Sequence, residues 1–222
     1  GGKLVTANET YTADIGIKDG RIATLGENLD GNDIINADKK LVMPGGIEAH
    51  CHIAQESANG IMTSDDYETG SISAAFGGNS CFVPFAAQKK GESIASTIAE
   101  YDRRAETKSV IDYSYHLILT DPNENVLNEL PSAFERGITS FKVFMTYATR
   151  VSDAQFLDIL TIARRHGGLT MVHAENHDML SWMSNALTKA GYTEPRYHAP
   201  ARPSLAEEEA INRAISLSKL AN

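Results

Sequence analysis

The fold is decided by the stretch Met43-Pro44-Gly45-Gly46-Ile47-Glu48-Ala49-His50-Cys51-His52. A Pro-Gly-Gly break and an apolar step predict a β-strand whose end carries two histidines separated by one residue. Side chains two positions apart on a strand point the same way, so His50 and His52 share one face and Cys51 lies on the other. Two imidazoles on one face of a strand end can chelate a metal ion. Because a His-x-His pattern is weak evidence on its own, surface or core-edge histidines are the alternative interpretation.

The composition is that of an ordinary soluble globular protein, with 42% hydrophobic and 22% charged residues in 222. A formal net charge of -9 argues against a nucleic-acid or anionic-membrane partner, since no basic stripe is available to neutralise phosphates. No apolar run approaches the ~20 residues that a membrane span needs, and no signal-peptide pattern opens the chain. Cys51 and Cys81 form no paired motif, which favours a reducing cytoplasm. Gly1 in place of Met indicates that Gly1 is not the natural start.

The hydrophobic pattern changes at residue 44. Residues 1–43 are typical of short strands and turns, including a predicted strand at 33–37, and form part of a small β domain in which Asp19-Gly20 is a hairpin signal. From 44 to 222, apolar strand-like runs alternate with longer helix-like segments. The predicted strands are 46–52, 80–86, 113–120, 140–147 and 169–174. The predicted helices are 65–76, 93–108, 124–136, 153–166, 178–190 and 206–220, with Ser64-Asp65 and Ser152-Asp153 as N-caps.

Five consecutive strand–helix units predict an α/β fold, either a (β/α)8 barrel of the TIM type or a doubly wound sheet. The polar residues favour the barrel, because His50, Lys142 and His173 lie in or at the ends of different strands. In a barrel these groups converge on one mouth, whereas an open sheet would spread them apart. A barrel needs eight strands, so we expect an incomplete one: a truncated chain, a partial gene product or half of a split assembly. An open apolar edge would otherwise promote aggregation.

Lys142 lies inside an apolar strand, where an ammonium group is costly to bury and its pKa should therefore fall. A neutral lysine can add carbon dioxide, and the resulting carbamate can bridge two divalent metal ions about 3.5–4 Å apart. The alternative is that Lys142 points outward toward a helix and extends its amine to solvent.

Two further residues are candidates for the same mouth. His173 ends an apolar strand as part of a His-x-Glu pattern, which suits a ligand of a second metal; a hydrogen-bonded rim histidine is the alternative. Tyr147 lies at the exit of the Lys142 strand and could donate its hydroxyl to a substrate carbonyl oxygen; an ordinary rim tyrosine is the alternative. Other polar residues are assigned structural or surface roles: Asp65 and Asp66 at a helix start, His177 as capping or solvated, and His116, His166 and His198.

Three motifs in order resemble the cyclic amidohydrolases and, within them, the dihydropyrimidinase/hydantoinase group. They are residues 44–52 (PGGIEAHCH), 141–147 (FKVFMTY) and 173–176 (HAEN). Arg196-Tyr197-His198-Ala199, Arg202-Pro203 and the acidic segment 207–210 look similar to that group as well. The resemblance runs over essentially the whole chain, and three motifs in order are far more specific than any one of them.

The resemblance implies a barrel carrying a small β-sandwich domain, with a binuclear site that usually holds zinc. His50 and His52 would bind the more buried metal, Lys142 would be the carboxylated bridge, and His173 would bind the other metal. Tyr147 would polarise the substrate carbonyl while a metal-bridging hydroxide opens a cyclic amide, a dihydropyrimidine or a 5-substituted hydantoin. The family's remaining histidine ligand and its general-base aspartate come from later strands, so these 222 residues alone should be inactive. A homotetramer is also implied.

Two residues depart from the family pattern. The family commonly has Asp where this chain has Glu48, and often Thr where it has Cys51. Glu48 shares the face of His50 and is expected to act as a hydrogen-bond acceptor behind it, with an altered geometry. Allantoinase, dihydroorotase and a non-catalytic scaffold relative are the alternatives within the family, although scaffold relatives typically lose metal ligands. A flavodoxin-like binding module would need a glycine-rich phosphate loop, which residues 51–60 do not contain.

Overall fold

A mixed four-stranded sheet forms the first of two units in a computed structural model that describes residues 1–57 and 60–222. This unit spans Gly1–Gly46, and the second spans Ile47–Asn222. The strands of the first sheet are β1 (Gly2–Val5), β2 (Thr10–Lys18), β3 (Arg21–Gly26) and β4 (Leu41–Val42), in the order β3-β2-β1-β4. β1 pairs with β4 in parallel, and the other two pairings are antiparallel.

The predicted hairpin turn is confirmed, but the predicted strand at 33–37 is wrong. Asp19 and Gly20 both have positive φ, +52° and +71°, as the tight turn between β2 and β3 requires. No strand forms at 33–37, where Ile34 and Ile35 are 75% and 91% exposed. Their β-branched side chains favour extended backbone locally, but a strand also needs a pairing partner and a surface to pack on.

Helices and parallel strands alternate through the second unit. The strands are β5 (Gly46–Cys51), β6 (Asn79–Ala87), β7 (Asp112–Tyr113), β8 (His116–Ile118), β9 (Ser140–Phe144) and β10 (Leu169–His173). The helices are α1 (Tyr67–Phe76), α2 (Ile94–Ala105), α3 (Glu124–Glu135), α4 (Asp153–Arg165), α5 (His177–Lys189) and α6 (Ser204–Leu220), with a 3₁₀ turn at Pro195–Tyr197. No described helix is both long and apolar enough to cross a membrane.

The strand order β5-β6-β8-β9-β10 follows the chain without a reversal. A doubly wound sheet reverses its order at a switch point, so that alternative is wrong. Residues 58 and 59, part of the loop that lacks a phosphate-binding glycine pattern, lie outside the described residues.

The sheet is curled, as a direct contact across it shows. His116 Nε2 on β8 lies 2.9 Å from the carbonyl oxygen of Ala49 on β5, although β6 separates the two strands. Neighbouring strands are about 4.8 Å apart, so in a flat sheet these groups would be twice that distance from each other. The second unit is therefore a half-barrel of five strands with an inner and an outer face.

Two local predictions need correction. The segment 113–120 is not one strand, because the pairing stops at Ser114 and Tyr115 between β7 and β8. Tyr115 is buried there, with its ring 5.7 Å from that of Tyr113. The N-cap of α1 is Asp66 rather than Ser64-Asp65, since the Asp66 carboxylate accepts the N–H groups of Glu68 and Thr69.

The two faces of the half-barrel differ in character. On β9, Phe141 and Val143 point outward and are fully buried beneath the helices. The alternating residues Ser140, Lys142 and Phe144 point inward, and the register pairs Lys142 with Ile118 and Met171 on the neighbouring strands. Helix packing thus stabilises the outer face, and the inner face carries the polar side chains.

Candidate metal centre

One phenylalanine ring connects three of the predicted ligands on the inner face. Phe85, on β6, is fully buried, and its ring centroid lies 4.8 Å from that of His50 and 4.9 Å from that of His52. The Lys142 Nζ atom lies 5.7 Å from the same centroid. Side chains from β5 and β9 therefore meet over one apolar surface.

A second phenylalanine extends this arrangement to β10. The ring centroid of Phe144 lies 5.7 Å from Lys142 Nζ and 5.7 Å from the His173 ring. The structure thus brings all four predicted ligands to one face. Their role as metal ligands stays a prediction.

Lys142 is directed inward, contrary to the alternative of an outward, solvent-seeking lysine. Its burial lowers the pKa of its ammonium group. Among residues 1–57 and 60–222, no carboxylate forms an ion pair with it. A partly buried ammonium without a counter-ion favours the neutral amine, which is the form that reacts with carbon dioxide.

The histidines of β5 suit a metal in their protonation. Burial lowers the pKa of His50, and the nearby Lys142 and His52 lower it further, so the neutral ligand form is favoured. His52 Nδ1 lies 2.5 Å from Gln55 Oε1; because a carbonyl oxygen only accepts, Nδ1 donates and Nε2 keeps its lone pair. Glu48 lies behind His50, and its Oε1 accepts the His50 backbone N–H at 2.9 Å.

Cys51 lies on the opposite face, as the alternation predicts. Burial raises the pKa of its thiol to about 11, so it is protonated at neutral pH. A protonated thiol is neither a nucleophile nor a metal ligand. The family's usual threonine at this position is therefore replaced without adding a reactive group to the inner face.

His173 is held from the side by a carboxylate. Its Nε2 lies 2.7 Å from Glu175 Oε2 and 3.3 Å from the hydroxyl of Tyr147. Because a carboxylate only accepts, Nε2 carries the proton and Nδ1 is left with the lone pair. Arg202 donates to both oxygens of Glu175, at 2.7 and 2.5 Å. Burial raises the pKa of Glu175, but the hydrogen bonds from Arg202 and His173 outweigh it and hold the pKa below its ordinary value.

Tyr147 lies at the rim next to His173. Its backbone has a φ of +70°, a left-handed conformation that is strained for a tyrosine. The ring is 40% exposed and packs 5.2 Å from the His173 ring and 5.6 Å from the Arg202 guanidinium. The fold thus holds an accessible phenol in a costly backbone conformation beside a predicted ligand.

His116 has a defined structural place one layer below the site. It is buried, donates from Nε2 to the Ala49 carbonyl, and accepts at Nδ1 from the Ser140 hydroxyl at 2.5 Å. It therefore connects the strand of His50 with the strand of Lys142. The structural assignment from the sequence is confirmed, but its position between these strands carries no sequence signal.

The other histidines lie outside this arrangement. His177 is the first residue of α5, and the N-cap is Asn176, so the predicted capping role is wrong. His166 stacks on Phe134 at 5.0 Å between ring centroids. His198 lines a cavity of about 400 Å³ beside Tyr147, His173 and Arg202.

A larger cavity of about 800 Å³ opens at the carboxyl ends of the strands. Its wall includes His52, Gln88, Ile118, Thr120 and Phe144. This is the end of a parallel barrel at which ligands bind. The space next to His52 is of the size that small-molecule sites have.

The chemistry of the donor set fits a metal only if the lysine is modified. Within the described residues, no three His, Cys, Asp or Glu side chains are grouped as metal ligands. The set proposed from the sequence has three histidines and a lysine, and a lysine becomes an oxygen ligand only as a carbamate. The unpaired, low-pKa Lys142 fits that modification.

Comparison with known proteins gives consistent relatives. No family model matches the chain. The chain is 42% identical over 225 residues to the D-hydantoinase of Geobacillus stearothermophilus, covering 99% of the chain and 48% of that relative. The structure resembles the dihydropyrimidinase from Brevibacillus agri, at 40% identity and a TM-score of 0.88. It also resembles the D-hydantoinase (dihydropyrimidinase) from Thermus sp., at 28% identity and a TM-score of 0.93. Each of these structures is matched by 99% of the chain over 49% of its own length, so the chain spans about half the length of its relatives.

Proposed function

We propose, from the premise that this chain is a homologue of the D-hydantoinase and dihydropyrimidinase group, that it carries the metal-binding part of an enzyme that opens a cyclic amide ring. One observation carries the proposal. His50, His52, Lys142 and His173 come from three strands and meet on one inner face, around the rings of Phe85 and Phe144.

Each side chain has a role in holding two divalent ions, for which we propose zinc. His50 and His52 would bind one ion, His173 would bind the other through Nδ1, and carboxylated Lys142 would bridge them. Bound ions of this kind supply a nucleophile from water at neutral pH and draw electron density from a carbonyl group. Carbon dioxide is therefore part of the proposed site, because the bridge requires it.

Tyr147 is proposed to stabilise the oxyanion. Since His173 Nε2 already carries a proton, the Tyr147 hydroxyl at 3.3 Å does not donate to it. Its hydrogen is free for an oxygen that becomes negative as the ring carbonyl is attacked. Glu48 holds the backbone N–H of His50 and supports the first pair of ligands indirectly.

The proposed substrate is a small uncharged cyclic amide, a dihydropyrimidine or a 5-substituted hydantoin. The cavity beside His52 combines apolar walls from Ile118 and Phe144 with amide and hydroxyl groups from Gln88 and Thr120. Such a lining suits a ring that has both a hydrocarbon edge and hydrogen-bonding groups. A complete eight-stranded barrel with a β-sandwich, a homotetramer and a cytoplasmic location are further proposals that follow from the resemblance.

The test starts with metal and carbamate content. The chain is incubated with zinc and ¹³C-bicarbonate, alone and together with the part of the Geobacillus relative that it does not match. We expect about two zinc ions per complete site and a carbamate carbon signal by NMR. Both should be lost in Lys142→Ala and retained in Lys90→Ala, which removes an exposed lysine.

Ring opening is then measured with hydantoin and dihydrouracil, by the loss of substrate and the appearance of the carboxylate product. Activity in the complemented protein that disappears in Lys142→Ala supports the proposal. Zinc binding without turnover of any cyclic amide would contradict the enzymatic part. A complemented protein without metal would favour the scaffold relative instead.

A further inference from the structure

We propose that Arg202 and Glu175 form a positioning pair that fixes the tautomer and orientation of His173. The proposal concerns residues outside the predicted ligand set. It rests on the proposed function only in taking His173 as a member of the site. Its evidence is the hydrogen-bond geometry around one imidazole.

The contact between Glu175 and His173 determines which nitrogen carries the proton. In a neutral imidazole one nitrogen donates and the other has a lone pair. Glu175 Oε2, 2.7 Å from Nε2, accepts that proton, so the lone pair is at Nδ1. Without this acceptor, the two tautomers would differ much less in free energy, and a ligating lone pair would be present for only part of the time.

Arg202 in turn fixes the carboxylate. Its Nη1 atom donates to both oxygens of Glu175, and the Glu175 side chain is only 15% exposed. A glutamate has three rotatable bonds, so its carboxylate holds a partner in place only if something holds the carboxylate. The guanidinium also lies 5.6 Å from the Tyr147 ring centroid, where a cation is attracted to the face of the ring. One arginine therefore contacts the supports of both His173 and Tyr147.

Arg202 comes from a segment that is anchored independently of this contact. It lies between the 3₁₀ turn at Pro195–Tyr197 and α6. On α6, Glu209 accepts from Asn176 at 2.5 Å, and the Asn176 backbone N–H donates to the Ala206 carbonyl at 2.9 Å. The loop that follows His173 is thus held by α6 on one side and by Arg202 on the other.

The tautomer is measured directly by NMR. In ¹⁵N-labelled, metal-free protein at mildly alkaline pH, two-bond couplings between ring protons and nitrogens distinguish the protonated nitrogen from the one with a lone pair. We expect His173 to be the Nε2–H form in the wild type. Glu175→Gln, which removes the charge and keeps the shape, should lower the preference for this form roughly tenfold. The matched control is Glu207→Gln, in which an exposed glutamate lining the same small cavity is changed.

A second variant tests the arginine. Arg202→Met should leave Glu175 unrestrained, so that the His173 ring signals broaden or split, while Arg202→Lys should restore a single orientation in part. Arg196→Met is the control, because Arg196 also stacks on a tyrosine, at 5.0 Å from the Tyr197 ring, but is 72% exposed and far from His173 in its contacts. Retention of the wild-type tautomer ratio in Glu175→Gln, or of unchanged ring signals in Arg202→Met, would overturn the proposal.

Zinc affinity separates this proposal from the function. In the complemented protein, Glu175→Gln should weaken zinc binding by about 10–100-fold, the usual effect of removing a partner that orients a histidine ligand. A shifted tautomer with unchanged zinc content would leave the positioning pair intact and contradict the assignment of His173 as a ligand. An unshifted tautomer with normal zinc binding would do the reverse.

Discussion

The two ends of the candidate site are supported by different kinds of interaction. At β5 and β9, His50, His52 and Lys142 rest against the buried ring of Phe85, and this support is apolar. At β10, His173 is held by Glu175, which Arg202 holds in turn, and this support is charged. Apolar support resists changes in pH and salt, whereas charged support depends on both.

The difference follows from where each end lies in the sheet. Phe85 is on β6, between β5 and β8, and neighbouring strands surround it. His173 ends β10, the last strand of the described order, where only one neighbouring strand is present. A side chain there cannot be enclosed by the sheet itself, so residues from the loop and the segment before α6 supply its contacts.

The largest effect is expected from Phe85→Ala, which removes the apolar support. Phe85 is fully buried, and truncating a buried phenylalanine costs about 3–5 kcal/mol of unfolding free energy. Urea denaturation of the metal-free protein measures the loss. Phe76→Ala is the control, because Phe76 is 91% exposed and its loss should cost less than about 0.5 kcal/mol. A Phe85 variant with the stability of the control would mean that β5 and β9 are held by other contacts.

A smaller, pH-dependent effect is expected from Arg202→Met. Burial raises the pKa of Glu175, but its hydrogen bonds from Arg202 and His173 outweigh burial, so the folded-state pKa lies below the ordinary value. Stability from such a group is present above the unfolded pKa and is lost as pH falls through the folded pKa. We expect a loss of about 1 kcal/mol at neutral pH, after discounting for partial exposure, and a smaller loss in acid.

Urea titrations at several pH values measure this effect, with Arg196→Met as the comparison. The Arg196 variant should show no pH-dependent difference from the wild type, because its partner Glu194 is 56% exposed at a distance of 3.7 Å. An Arg202 loss that is equal at neutral and acid pH would show that the arginine acts by packing on Tyr147 rather than by its charge.

Most of the fold was predictable because its signals are local. The apolar runs and capping residues place most of the helices and strands within a few residues of their observed ends. Ser152, for example, accepts the Gln155 backbone N–H while the Gln155 side chain returns to the cap. The predicted strand at 33–37 failed because pairing and burial, rather than local preference, decide whether a strand forms.

The candidate site was predictable to the extent that its residues are marked by strand position. His50, His52, Lys142 and His173 were identified by polar residues in or at the ends of apolar strands. Glu175 had a weak signal, since it lies two positions after His173. Arg202 had none, because it is 27 residues from Glu175 and only the folded chain brings them together.

The smallest effect is expected where the two kinds of support meet, at Lys142. Burial lowers the pKa of this lysine, and the described residues provide no carboxylate to offset the cost of its charge. The folded state therefore binds a proton less readily than the unfolded state, whose lysine has a pKa of about 10.4. Stability lost to the buried ammonium should return as pH rises toward that value. Lys142→Met, which keeps the apolar stem, should stabilise the metal-free protein by about 1 kcal/mol at neutral pH in buffer free of carbon dioxide. The gain should shrink in alkali, and Lys90→Met should show neither effect. A destabilised Lys142→Met would mean that the wild-type amine has an unidentified partner on the inner face. A stabilised one would show that this position lowers the stability of the fold, as expected for a residue kept for its chemistry rather than for packing.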